Sequence, residues 1–371
     1  MTDELQAEAA LREDRRAQLP LALGGMLIPL FFVAMFAVCI IGAYHKPHPD
    51  GIKVGVVGPP RVTAALSAGV AKDAGSAFDI SQEATVAQAA HKVRQRDLNA
   101  AFVPSPSPKR PATLIVASAN GRIVATAAEG LAREVAAAQG AQIEVREVRP
   151  LPSGDEIGLG IFMFMVVCTI CGYITPTVLE TVAPALQPSR RYPIIAVTSL
   201  LVSTLAYLIG GLGYGTYTGS FGTLLAFVGI GALYTFTIGL GTRLFQVLLG
   251  PPGIFGSLAI FVFLNIPSLG ATYTSQVLAP FWQFLNHFWI GAAAVNAQRS
   301  ILYFDGQGIG TDLIRILIWT AGIVVLLLLP VSRRLECRRE RSISPRALSS
   351  PATSGRDFKR FSRNRDRLGS A

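Results

Sequence analysis

Charged side chains are scarce in this chain: Asp, Glu, Lys and Arg make up 15% of its 371 residues, whereas hydrophobic residues make up 51%. Soluble domains usually carry about 25% charged residues, so the composition favours a membrane protein. The net charge of +10 is concentrated in residues 333–371, where twelve Lys and Arg stand against four Asp and Glu. A basic block after an apolar run is typical of a disordered cytoplasmic tail facing anionic lipids. Since no nucleic-acid-binding motif accompanies it, we predict no nucleic-acid partner.

Cysteines and catalytic motifs are also few. None of the four cysteines lies in the polar stretch 46–153, which excludes a disulfide framework there. Cys168 and Cys171 have C-x-x-C spacing, but their neighbours "FMFMVVCTICGYI" offer no further metal ligand, so we interpret both as packing residues and predict no metal or cofactor. The chain contains no G-x-x-x-x-G-K-[ST] motif, so we predict that it is not an enzyme and that ATP hydrolysis would need a separate subunit.

Several apolar runs are long enough to cross a bilayer, because about 20 helical residues span a hydrocarbon core of ~30 Å. The first run is longer than that of a signal peptide and is predicted to be an uncleaved anchor. Glycines crowd the middle runs, which is typical of close helix packing. Pro251, Pro252 and Gly253 interrupt the fifth run as a break or a kink. We predict a polytopic α-helical membrane protein with six spans: 19–44, 157–177, 193–212, 221–241, 245–266 and 310–331.

The stretch 46–153 has the composition of a soluble domain and is inserted between the first two spans. Alternating apolar residues predict strands, and a four-residue apolar spacing predicts helices between them. The predicted order is β-α-β-α-β-β-α-β, a small α/β domain. It contains no glycine-rich phosphate loop, paired-acid motif or nucleophile elbow.

Positive charges in short loops predict the orientation. The loop 178–192 carries Arg190 and Arg191, an expected turn at 242–244 carries Arg243, and the tail carries twelve basic residues, whereas 213–220 carries none. Placing the charged segments in the cytoplasm puts both termini, including the segment 1–18, inside and the α/β domain outside. The predicted location is the plasma membrane, as a multi-pass protein.

The segment 280–304, "PFWQFLNHFWIGAAAVNAQRSILYF", is apolar but contains several polar residues. A full crossing would expose the basic tail on the wrong side and place a central Arg in lipid, at a cost of ~2.5–3.5 kcal/mol. We therefore predict a re-entrant element before the last span, whose polar residues face protein or water. The candidate pathway residues are Asn286, His287, Asn296 and Arg299, with Gln298 on another face.

This layout resembles that of ABC-2 type permeases, and most closely the branch that contains the phage infection protein and the nitrosoguanidine-resistance protein. The likeness covers roughly residues 19–332. The stretches that carry it are "VGVVG" at 54–58, "LNAAFVP" at 98–104, "LPSGDEIGLGIFMF" leading to Gly172-Tyr173, "NIPSLG" at 265–270, and "FWQFLNHFWIGAAAVNAQRSILYFDG".

The resemblance implies a membrane subunit that exports or handles lipids, cell-wall precursors or amphiphilic drugs. It also implies a possible homodimer and a possible separate ATPase subunit, coupled through the cytoplasmic segment between the second and third spans. Candidate residues there are Glu180, Arg190 and Arg191. Because this segment is short and contains Pro184 and Pro188, a coupling helix is not expected.

Besides a permease, two other function classes are compared with the sequence. A membrane-anchored scaffold or receptor-like protein, whose outer domain binds a partner without transport, remains the alternative. A membrane enzyme is disfavoured, since the predicted spans hold essentially no ionisable residue except Asp312 and Arg315, which are expected to pair at i,i+3. His287 is a lone histidine beside Phe288 and Trp289, a pattern more typical of an interfacial residue than of a ligand.

Overall fold

The computed structural model describes residue 26, residues 29–330 apart from 48, 106, 108–109 and 218, and residue 332. The segment 1–18, the beginning of the predicted first span and the basic tail 333–371 lie outside the described residues. The chain within this range is mostly helical, with one small mixed sheet.

The α/β domain has the predicted order of strands and helices. Its sheet runs β2-β1-β3-β4-β5, with β3 and β4 antiparallel and the other neighbours parallel. Apolar residues on one face of the sheet pack against α4, for example Ile52 and Leu114 against Val124. The elements are β1 (Ile52–Val57), α2 (Pro60–Ala74), β2 (Phe78–Glu83), α3 (Val86–Gln95), β3 (Ala100–Val103), β4 (Ala112–Val116), a short 3-10 turn (Ser118–Asn120), α4 (Arg122–Ala138) and β5 (Ile143–Glu147).

Helix α3 shows how local sequence sets the ends of these elements. The Thr85 hydroxyl accepts a hydrogen bond of 3.1 Å from the Gln88 N–H and caps its N-terminus. Arg96 ends the helix in the left-handed conformation, with φ of 69°, a place where glycine is the usual residue.

The apolar segments before and after this domain fold into helices. Four are long and apolar enough to cross a membrane: α5, α6 with its π-helical continuation, α7 and α11. Many of their apolar side chains are exposed, including Leu201 and Leu205 on α6 and Ile318 on α11, as lipid-facing surfaces would be. The helices are α1 (Pro29–Tyr44), α5 (Gly160–Val182), α6 (Pro188–Leu208), α7 (Phe221–Leu249), α8 (Gly253–Leu258), α9 (Pro280–Phe288), α10 (Ile290–Tyr303) and α11 (Ile309–Leu328).

The predicted division between the fourth and fifth spans is wrong. Helix α7 continues without a turn at 242–244 and ends at Leu249, and the chain reverses at Gly250. The following α8 and its π-helical continuation, Gly253–Leu264, which we call the α8 segment, have twelve residues and a length of about 18 Å. The expected turn rested on the charge of Arg243, but that charge is buried in an ion pair and needs no loop.

The predicted boundary between the second and third spans also changes. Helix α5 extends to Val182 and α6 begins at Pro188, so Glu180, Arg190 and Arg191 belong to helices. Only 183–187 joins the two helices, and it contains no helix. The long helices therefore do carry ionisable residues, contrary to the expectation from sequence.

Glycines allow close packing at particular positions of the middle helices. A Cβ atom on Gly231 of α7 would lie 2.4 Å from the Ser203 Oγ and 2.6 Å from the Phe164 ring. A Cβ on Gly172 of α5 would lie 2.8 Å from the Thr235 carbonyl oxygen. These contacts agree with the interpretation of the glycines as packing residues.

The segment 280–304 folds as a helical hairpin. Helix α9 ends at Phe288, Trp289 is extended, and α10 runs back to Tyr303. The turn lies beside the middle of α11, where the Trp319 Nε1 donates a hydrogen bond of 2.9 Å to the Phe288 carbonyl. The hairpin thus enters the helical bundle to about half the length of α11 and returns. Its placement in a membrane stays a prediction, as do the six spans and the orientation.

Candidate functional site

A cavity of about 610 Å³ lies between α1, α5 and the α8 segment. Its walls are apolar and include Phe36 and Ile40 of α1, Val166 and Ile170 of α5, and Val262 of the α8 segment. Along α5 the lining extends from Leu159 to Ile174, or about 22 Å at 1.5 Å per residue. Both the volume and the apolar walls are typical of a site for a small lipophilic molecule.

Two polar side chains at the domain end of this cavity form hydrogen bonds within the chain. The Tyr44 hydroxyl is 3.2 Å from the carbonyl oxygens of Ile266 and Pro267, to which it can donate. The Thr272 hydroxyl donates to the Gly158 carbonyl at 2.9 Å. The ring of Tyr273 lies 4.9 Å from that of Tyr44. At this end the cavity therefore offers mainly apolar contact.

A second feature is a polar junction between the α/β domain and α10. The guanidinium of Arg96 donates to the Asn120 Oδ1 at 3.0 Å, the Ser300 Oγ at 2.8 Å and the Asn296 Oδ1 at 3.1 Å. It also lies 5.4 Å above the centre of the Phe304 ring, within the range of a cation–π contact. Burial lowers the pKa of Arg96, while the field of Asp312 opposes the shift.

Arg299 occupies the same junction from the α10 side. Its guanidinium donates to the Asn296 Oδ1 at 3.1 Å and to the carbonyl oxygens of Gly270 and Ala271 at 3.1 and 2.6 Å. One amide oxygen, that of Asn296, thus accepts from two guanidinium groups. Because Gly270 and Ala271 lead directly to Thr272 and Tyr273 of the cavity wall, the junction and the cavity are joined by one short segment.

The remaining residues proposed in the hairpin do not share this cluster. Asn286 is buried and its Nδ2 donates to the Ser268 carbonyl at 2.7 Å, which ties α9 to the segment before it. His287 is exposed, with its Nδ1 2.7 Å from the Gln283 carbonyl of its own helix. Gln298 is fully buried, and within the described part of the chain neither atom of its amide has a hydrogen-bond partner.

Asp312 and Arg315 lie 3.7 Å apart at the start of α11. The contact is at the long end of the ion-pair range and partly exposed, so its own contribution to stability is about 0–1 kcal/mol. Nearby, Arg149 of the α/β domain pairs with Asp305, which follows α10. Among the described residues, Asp305 and Arg96 are the two residues other than glycine with positive φ. Arg96 lies in the α/β domain and contacts α10, whereas Asp305 follows α10 and contacts Arg149 of the α/β domain.

At the opposite end of the bundle, Glu180 of α5 joins two other helices. Its Oε2 accepts from the Arg191 Nη1 at 2.5 Å and from the Arg243 Nη1 at 2.7 Å. Arg191 also donates to carbonyls of the connecting segment 183–187, among them that of Pro184 at 3.1 Å. Arg190 is exposed and lies outside this cluster. Sequence reasoning had placed Arg243 in a loop and so missed its role here.

The C-x-x-C pair shows no metal chemistry in the part of the chain that the structure describes. Cys168 is fully buried among apolar residues, Cys171 is half-buried, and neither forms a disulfide. No group of three or more His, Cys, Asp or Glu side chains within the described ranges could hold a metal ion.

No family model, curated protein or solved structure matches the chain. Functional conclusions therefore rest on the two sites themselves.

Proposed function

We propose that the chain is an integral membrane permease-like subunit that exports or handles lipophilic or amphiphilic molecules. The observation that carries the proposal is the apolar cavity between α1, α5 and the α8 segment. It follows about 22 Å of α5, which exceeds the ~15 Å of one leaflet of a ~30 Å hydrocarbon core. An acyl chain or an extended lipophilic molecule therefore fits this site better than a polar solute.

The arrangement of the chain supports the resemblance to ABC-2 type permeases as part of this proposal. An α/β domain between the first helix and the bundle, and a helical hairpin before the last long helix, both belong to the layout on which that resemblance is based. We propose both termini in the cytoplasm and the α/β domain outside. A homodimer and a separate ATPase subunit belong to the same proposal. Since 183–187 contains no helix, such a subunit would meet the ends of α5 and α6 directly.

The experiment places a larger side chain in the cavity. It is done in the native host, where any partner subunits are present. A strain that lacks the gene is complemented with the wild type, with Val166→Trp, or with Leu205→Trp as the matched control. Val166 lines the cavity, whereas Leu205 is 60% exposed on α6 and faces away from the core. The measurement is the intracellular accumulation of a fluorescent single-chain amphiphile.

We expect Val166→Trp to accumulate the probe like the deletion strain and Leu205→Trp to behave like the wild type. Membrane abundance of each variant is measured by immunoblotting, so that a loss of protein is separated from a loss of export. Equal accumulation in the deletion strain and the wild type would reject export of this probe class and favour the scaffold or receptor alternative.

A further inference from the structure

The junction between the α/β domain and α10 contains a buried guanidinium group, that of Arg299, and a half-buried one, that of Arg96, whose hydrogen-bond partners among the described residues are all neutral. Among the described residues, neither Arg96 nor Arg299 has a carboxylate oxygen within 4.0 Å, and their hydrogen bonds go to amide, hydroxyl and carbonyl oxygens. Arg299 is 5% exposed. Burying a cation without a counter-charge costs several kcal/mol, because neutral acceptors replace only part of its hydration.

The carboxylates around this junction each contact another group, and among the described residues none contacts Arg96 or Arg299 directly. Asp312 lies beside Arg315, and Asp305 pairs with Arg149. Asp155 accepts from the N–H groups of Leu159 and Gly160 at 2.7 and 2.8 Å.

Counting charges around the junction leaves a positive excess. Four arginines, Arg96, Arg149, Arg299 and Arg315, stand against three aspartates, Asp155, Asp305 and Asp312, an excess of one positive charge. Within the described part of the chain, the Nε of Arg149 is buried without an acceptor.

We propose that this junction binds an oxyanion, a phosphate or carboxylate group, between the guanidiniums of Arg96 and Arg299. Guanidinium groups present paired N–H donors that match two oxygens of such a group. The single amide oxygen of Asn296 accepts from both arginines, and an oxyanion beside it supplies the missing charge as well as further acceptors. The left-handed φ of 69° at Arg96 is a strained conformation of the kind that occurs at binding sites.

The proposal deepens the proposed function, since the oxyanion can be the headgroup of the amphiphile, and it rests on that function only for the source of the ligand. Arg96 is half-buried and gives access from the surface of the α/β domain. Arg299 holds Gly270 and Ala271, next to the cavity wall. The other source is free inorganic phosphate, which needs no apolar tail.

The first experiment measures the melting temperature of the purified full chain in neutral detergent as inorganic phosphate replaces chloride at constant ionic strength. We expect a saturable rise for the wild type. Asn296→Asp places a carboxylate between the two guanidiniums, and should raise the melting temperature without phosphate and abolish the phosphate response. Asp312→Asn removes a nearby negative charge and should tighten apparent phosphate binding by roughly threefold to tenfold, since the field of one charge acts at short range in a partly buried site. Arg133→Gln, on the exposed face of α4, is the control and should respond like the wild type.

The second experiment identifies the source of the oxyanion. The chain is placed in nanodiscs of phosphatidylcholine alone or with phosphatidylglycerol. If the headgroup is the ligand, phosphatidylglycerol raises the melting temperature of the wild type but not of Asn296→Asp, and added phosphate has no further effect. If free phosphate is the ligand, only phosphate raises it, in either lipid.

A wild type that responds to neither phosphate nor phosphatidylglycerol would overturn the proposal. So would an equal response in Asn296→Asp, or weaker phosphate binding in Asp312→Asn. These outcomes are distinct from failure of the proposed function, because Val166→Trp should lose export of the amphiphile while the purified variant keeps its response to phosphate.

Discussion

The Nη2 of Arg96 donates a hydrogen bond to the Oδ1 of Asn296 at 3.1 Å, although the two residues are 200 positions apart in the chain. The same oxygen accepts from Arg299. One amide group therefore connects the α/β domain to the helical hairpin, and its contribution to stability can be measured.

Replacing Asn296 with Ala should remove one acceptor from the buried guanidinium group of Arg299 and one from the half-buried guanidinium group of Arg96. Hydrogen bonds to charged groups contribute about 1.5–3 kcal/mol each, so we expect a loss of roughly 3 kcal/mol in the free energy of unfolding, measured at equilibrium in mixed micelles. Thr126→Ala, on the exposed face of α4, should change it by less than about 0.5 kcal/mol. A loss below about 1 kcal/mol for Asn296→Ala would show that the junction contributes little to stability.

A larger loss of stability is expected at the cluster of Glu180, Arg191 and Arg243, which we call the Glu180 cluster. Glu180→Gln removes the carboxylate that Arg191 and Arg243 share, and both arginine side chains are at most 2% exposed. Breaking a buried ion pair by removing one partner typically costs about 3–5 kcal/mol, and we expect a loss in this range.

The exposed Glu129–Arg133 pair on α4 supplies the control for that measurement. Glu129→Gln should cost no more than about 0.5 kcal/mol, as is usual for an i,i+4 pair on a helix surface. Similar losses for the two variants would contradict the structural role of the Glu180 cluster.

Two glycines of α7 differ in what surrounds them. Gly231 packs against Ser203 and Phe164, whereas a Cβ atom on Gly229 would meet no atom within 4 Å. Gly231→Ala should destabilise the bundle by about 1–3 kcal/mol through overpacking, and Gly229→Ala should stabilise it by up to about 1 kcal/mol through helix propensity. Thermal melting of both variants tests the contact, and equal effects would argue against the packing of α7 on α5 and α6.

The orientation can be tested by labelling single cysteines in a background that lacks the native ones. Gly130→Cys, at an open position on α4, should react with a membrane-impermeant thiol reagent from outside intact cells. Ser189→Cys, at the exposed start of α6, should react only after permeabilisation. The reverse pattern would invert the proposed topology.

The parts of the fold that sequence reasoning predicted correctly depend on local patterns. Alternating apolar residues in strands such as β1 and four-residue apolar spacing in helices such as α4 are both readable within about 20 residues. The predicted end of the fourth span was wrong because the charge of Arg243 suggested a loop. Its partner Glu180 is 63 positions away and could not be recognised from local sequence. Arg96 was missed for a related reason, since "RQRD" at 94–97 resembles any solvated helix end and its partners lie on α10.

The cavity was not predictable either, because its lining residues have the composition of an ordinary apolar core. The lining residues differ from core residues because they border the space between α1 and α5. That space depends on how whole helices pack. Asn296 and Arg299 were proposed as pathway residues, and the structure brings them together, but with the α/β domain as their neighbour.

The most direct test of the central claim is to locate a bound amphiphile on the chain. The purified protein is incubated with a single-chain lipid that carries a photoreactive group near the end of its tail, and the labelled residues are identified by peptide mass spectrometry with and without excess unlabelled lipid. The account predicts labelling of Val166, Ile170 and Val262 in the cavity, suppressed by the competitor and lost in Val166→Trp. Labelling confined to the exposed surface of α6, at Leu201 and Leu205, and unaffected by the competitor would contradict it.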